Sequence, residues 1–117
     1  MPKCYFIKEG NLIKVKRFEF AIRIVLLYKH LIESMREFVL SKQVLISGTS
    51  IGANVCEAQD AESKADFIHK FKISAKEANE TKYWLLLCQH AKSYPYPSLL
   101  LTELETIQKV ISKIISS

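Results

Sequence analysis

Residues 44–58 read Val44-Leu45-Ile46-Ser47-Gly48-Thr49-Ser50-Ile51-Gly52-Ala53-Asn54-Val55-Cys56-Glu57-Ala58. Val44, Ile51, Val55 and Ala58 share one face of a helix, and Gly48 sits among them at the spacing such a stripe needs. No charge occurs from Gln43 to Cys56, and a helix without a charged face over that length is covered on more than one side. Each glycine costs a helix interior about 1 kcal/mol relative to alanine, so Gly48 and Gly52 need a compensating gain. Close approach of a second helix backbone supplies one. The stretch therefore predicts a helix at the centre of an all-α packing.

The surrounding composition agrees. A chain of 117 residues can bury a core without disulfides or metal, and residues 1–117 read as one domain. Its 49% hydrophobic and 25% charged content is that of a folded protein, and only three glycines and three prolines argue for helices over a turn-rich β fold. Cys4, Cys56 and Cys88 show no paired spacing and form no zinc pattern with His30, His69 and His90, so reduced thiols are expected. No secretory h-region follows Met1, and no apolar run approaches the roughly 20 residues of a membrane span, so the expected location is the cytoplasm.

Residues 1–12 read as a short N-terminal arm, either a strand or frayed. From Leu12 or Lys14 to Glu33 the pattern is helical with two apolar stripes, Phe18, Ile22, Val25 and Ile32 on one side and Phe20, Ile24, Leu27 and Leu31 on the other. The first is expected to face the core and the second another helix or another subunit, leaving Lys16, Glu19, Arg23 and His30 in water. A break at Ser34–Glu37 precedes the second helix, from Arg36 or Phe38 to Asp60. Ser63 and Asp66 then supply a capping box with Asp in place of Glu.

The third helix, Lys64 to about Ala91, carries the clearest period. Phe67, Phe71, Ser74, Ala78, Thr81, Leu85 and Cys88 recur at steps of four and three, and this small waist at Ala78 is expected to pack on Gly48 and Gly52. On the opposite side of the same helix runs a second seam, Ile73, Glu77, Glu80, Trp84 and Leu87. Either a helix of the same chain covers it, or it is an oligomer interface through Ile73, Trp84 and Leu87. Prolines in Ser93–Pro97 end the helix, and Ser98 is the expected cap of a last helix with the stripe Leu100, Leu104, Ile107, Ile111 and Ile114. Short turns between such helices predict an antiparallel up-down-up-down four-helix bundle.

Few catalytic arrangements survive inspection. The chain has no Glu-x-x-His pair, no histidine near Ser47, Thr49 or Ser50, and no Lys-Ser/Thr ending after Gly48 and Gly52, so no enzyme, metal or cofactor site is expected. Asn54, Glu57, Glu77 and Glu80 are expected to form a polar network that fixes register or subunit geometry. The net charge of +5 suggests an anionic partner, and Lys14, Lys16, Arg17, Arg23, Lys72 and Lys76 are the candidates for sequence-independent phosphate contacts.

These residues also carry a resemblance. Ser47 to Val55, Glu57-Ala58, Glu62 to Phe67, Lys76 to Thr81, Tyr83 and Trp84 are similar to the bacterial four-helix bundle proteins encoded in intervening sequences of the 23S ribosomal RNA gene. That family is related to the accessory variability protein of diversity-generating retroelements. The resemblance implies a bundle that assembles with itself as a ring, often a pentamer. Through the related branch it implies RNA or DNA and a reverse transcriptase as partners. The alternative is a structural or protein-interaction adaptor with no nucleic-acid role.

Overall fold

The computed structural model describes the backbone of residues 12–91 and 97–117 and, within them, the side chains of residues 18–91 and 98–117. The expected arm up to Asn11, the turn before Pro97, and the side chains of Lys14, Lys16 and Arg17 lie outside the described residues. Four helices follow one another: α1 (Leu12–Glu33), α2 (Leu40–Ala58), α3 (Lys64–His90) and α4 (Pro97–Ser116). They form an all-α four-helix bundle. The main helix contacts join α1 to α2, α2 to α3, α3 to α4, and α4 back to α1, so α1 and α3 stand on a diagonal.

The ends of the helices follow from local chemistry. Arg36, with φ 53°, takes the left-handed conformation that a non-glycine residue adopts at a cost of about 1 kcal/mol. This reversal lets the Glu37 N–H reach back to the Leu31 carbonyl, 2.8 Å away. The Glu37 carboxylate then accepts from the N–H groups of Leu40 (2.6 Å) and Ser41 (3.1 Å) and so caps α2 from outside it. At the next turn the Ser63 hydroxyl accepts from the Asp66 N–H at 3.0 Å, as the sequence predicts. The return bond goes one residue earlier, from the Glu62 N–H to Asp66 at 3.3 Å, so the capping box is only half made. Ser98 is not a cap: α4 already includes Pro97, whose fixed φ and missing N–H suit a first helical position.

The core takes Ile51 and Val55 from α2, Phe71 and Leu85 from α3, and Leu104 and Ile107 from α4, each at most 2% exposed. Each such aliphatic contributes about 2 kcal/mol through removal of its surface from water. For α1 the expectation is inverted. Phe20, Ile24, Leu27 and Leu31 are the buried stripe, whereas Phe18, Ile22 and Val25 are 40%, 47% and 39% exposed. The reason lies in the outer stripe itself, where the position between Val25 and Ile32 is held by Lys29, an exposed residue. A lysine turned into the core without a partner would forfeit several kcal/mol of hydration.

Gly48 shares the buried stripe of Val44, Ile51, Val55 and Ala58 that the spacing predicts, but its nearest neighbour belongs to α1. It is buried against α1, and a Cβ there would lie 2.9–3.0 Å from the Ile24 side chain. Between α2 and α3 a close contact is made by Ser74, fully buried, whose hydroxyl donates to the Ile51 carbonyl at 2.8 Å. Lys70 reaches Glu57 at 3.8 Å. As the α2 number rises from 51 to 57 the α3 number falls from 74 to 70, so these two helices run antiparallel. Cys88 is a free, buried thiol, whereas Cys56 is disulfide-bonded, so the expectation of reduced thiols throughout does not hold.

Gly48→Ala gains helix propensity but forces a methyl onto a side chain with no room to move. We expect a net destabilisation of about 1 kcal/mol by urea denaturation, since overpacking costs typically 1–3 kcal/mol. The double change with Ile24→Val should cost less than the sum of the two single changes.

Candidate functional site

The outer surface of α2 is the most unusual part of the molecule. Ile46 is 52% exposed, and around it Thr49, Ser50, Ala53 and Asn54 are exposed or half-buried without a charge among them. Their hydroxyl and amide groups bond back to the helix. Thr49 donates to Leu45, Ser50 to Ile46, and Asn54 to Ser50. With these donors engaged, the face offers a partner mainly methyl groups and carbonyl edges.

The second seam of α3 lies beside it. Ile73 and Trp84 are half-buried, with Trp84 packed against the edge of the core, and Leu87 is 42% exposed. The tryptophan is thus shielded only in part by its own chain. Its indole N–H donates to Glu80 at 3.4 Å, and Tyr83 meets its ring edge-on at 5.2 Å. Burial and the neighbouring Glu80 charge push the Glu77 carboxyl above its ordinary value, against the pull of Lys76.

The expected polar network is not assembled as one unit. Asn54 bonds within α2, Glu57 pairs with Lys70, and Glu80 serves Trp84, while Glu77 and Glu80 face each other only as like charges. Ser74, the buried link between the helices, is the residue that reasoning from charge passes over. Its signal is present: a serine, like Thr81, occupies a position in a seam that also holds Phe71, Ala78 and Leu85. Of the packing motif, Gly48 and Ala78 are buried and Gly52 is half-buried.

The basic candidates separate into two groups. Arg23 of α1 pairs with Glu103 of α4, which ties those helices together and takes up part of its guanidinium. Lys72 and Lys76 stand exposed one turn apart on α3, on the side away from the core. Lys64, Ala65, Ile68, His69 and Lys72 line a shallow hollow over the first turns of that helix. Among the described residues no cluster of three or more His, Cys, Asp or Glu is arranged to hold a metal, and no helix is long and apolar enough to cross a membrane.

Residues 10–115 match the family model of the 23S rRNA-intervening sequence protein. The chain belongs to that family. A crystal structure of a protein of unknown function from the S23 ribosomal protein family of Bacteroides thetaiotaomicron VPI-5482 is 48% identical, superimposes with a TM-score of 0.87, and is covered over 97% of its length by 92% of this chain. No curated protein matches. The likeness fixes family and fold, and the family's description assigns no reaction to any residue.

At the end of the α2 and α3 faces, Cys88 is fully buried and Ser41 keeps a buried hydroxyl oxygen without a hydrogen-bond partner. Burial, and then the Glu37 carboxylate, push the Cys88 thiol up to about 11 from 9.0. Because the folded value is the higher one, the stabilisation from keeping the thiol protonated is complete below the unfolded pKa and is lost as pH rises through about 11. Denaturation of the wild type should therefore show a steeper loss of stability across that window than Cys88→Ala shows. At pH 8 a thiol reagent should label Cys88 only after unfolding.

Proposed function

We propose that this is a non-enzymatic, single-domain cytoplasmic protein that assembles with copies of itself into a ring, as a pentamer. In this reading it presents the exposed α3 lysines to the phosphates of RNA or DNA. One observation carries the assembly: Ile22 and Val25 of α1 and Leu87 of α3 are 47%, 39% and 42% exposed, with Trp84 only half-buried beside Leu87. A lone subunit leaves those side chains in water, and association with further copies removes them.

The nucleic-acid part rests on Lys72 and Lys76, with Lys64 and His69 on the same helix side. Each is a weak contact, but ring symmetry repeats it, and phosphate contacts add. Nothing in this arrangement reads a base edge, so binding should be independent of sequence. A reverse transcriptase or another protein would then be held by a surface other than the lysines, which is also the adaptor reading in which the charge serves solubility alone.

Fluorescence titration with mixed-sequence RNA and DNA at about 50 mM and about 200 mM salt tests this. Binding at the lower salt, weakened at least tenfold at the higher and again by Lys72→Glu with Lys76→Glu, is the expected result. No binding at low salt would leave the adaptor reading. Multi-angle light scattering of the wild type should report several subunits, and a clean monomer would remove the ring.

A further inference from the structure

The outward stripe of α1 and the second seam of α3 have the same spacing and opposite charge. Ile22, Val25, Lys29 and Ile32 follow steps of three, four and three, and Glu77, Glu80, Trp84 and Leu87 do the same. Ile22, Val25 and Lys29 are exposed, as are Glu80 and Leu87, with Ile32, Glu77 and Trp84 half-buried. The first stripe carries a lysine with no carboxylate in its own seam. The second carries two carboxylates side by side, and the Glu80 charge adds to the cost of ionising Glu77.

We infer, on the basis of the self-assembly proposed above, that the interface is head-to-tail: the α1 stripe of one copy lies antiparallel on the α3 seam of the next. Laid antiparallel, Lys29 comes opposite the Glu77–Glu80 pair while Ile22 and Val25 meet Trp84 and Leu87. Laid parallel with the same overlap, Lys29 falls on Trp84 and Ile22 on Glu77, which strands the charges. Two different faces of one subunit are used, so association does not stop at a dimer.

The placement of the faces also sets the curvature. Gly48 against Ile24 shows which side of α2 meets α1, and Ser74 against Ile51 shows which side meets α3. On a helical wheel the α1 stripe points straight away from the core, whereas the α3 seam is turned from that direction toward α2. The two faces therefore meet at an angle that contains α2, and successive copies curve with α2 on the inside. The uncharged surface from Gln43 to Cys56 then lines the axis.

The test blocks one face at a time at exposed positions. Ile22→Arg removes the α1 face and Leu87→Arg the α3 face, and circular-dichroism melts check that each variant folds as the wild type does. By light scattering each variant alone should be monomeric. An equimolar mixture should give a one-to-one dimer and nothing larger, because only one unaltered pair of faces remains. Lys29→Glu should weaken assembly at least tenfold, and adding Glu80→Lys to the same chain should restore it. A mixture that stays monomeric, a variant that still assembles fully alone, or failure of the charge exchange to restore assembly would overturn this interface while leaving a wild-type oligomer standing. A wild type that is itself monomeric would overturn both the interface and the ring.

Discussion

The bundle depends on how closely α2 can be approached from both sides. On one side Gly48 leaves room for the branched end of Ile24, and a Cβ at 2.9–3.0 Å would occupy the place of that side chain. On the other, Ser74 is short enough to bring α3 within hydrogen-bond distance of the α2 backbone at the Ile51 carbonyl. That carbonyl can accept a second bond without giving up its own helix, so the link costs no secondary structure. Both contacts exploit what is missing from a side chain. They explain why a stretch with poor helix propensity is nevertheless helical from Leu40 to Ala58.

A helix gripped this way from two sides cannot bury its third, and the rest of the architecture follows from that. The outer surface of α2 keeps Ile46 in water, and its serine, threonine and asparagine side chains bond back to their own helix. The cost is moderate because those donors are satisfied locally, unlike the buried and unpartnered hydroxyl of Ser41. The ends are fixed by charge instead: Glu37 supplies the acceptors that the start of α2 lacks, and Arg23 with Glu103 ties α1 to α4. Stability thus comes from the inner surfaces and helix ends, which leaves the outer face of α2 unconstrained by folding.

Much of this was legible in the residues. The steps of four and three in α3 named its buried positions because that seam is uncharged while its rival carries Glu77 and Glu80, and the stripe from Leu100 to Ile111 named those of α4 because large aliphatics crowd that side. α1 has two such sides, and periodicity alone cannot rank them. The feature that does is Lys29, a single charge in an otherwise apolar stripe, whose burial would cost more than any leucine returns. Gly48 was recognisable as a point of close approach but not its partner, since a glycine specifies that something comes near without saying what. The proposed polar network failed for a different reason: Asn54 and Glu57 had nearer partners on their own helix and in Lys70, and local bonds form at lower entropic cost than distant ones.

In the proposed ring, symmetry would give the run without charge from Gln43 to Cys56 a physical meaning. In a ring built on the α1 stripe and the α3 seam, any ionised group on the inner surface would be brought near its own copies. Like charges a few ångströms apart repel by several kcal/mol where water is thinned out. Hydroxyls, amides and methyl groups carry no such penalty, which is the composition found from Gln43 to Cys56. Lys72 and Lys76 lie beyond the α3 seam, on the side away from α2, so the proposed ring would carry them to its outer rim, where repetition would favour a flexible polyanion. In the proposed ring, one constraint, the exclusion of charge from the axis, would thereby separate the uncharged stretch from Gln43 to Cys56 from the lysines of α3.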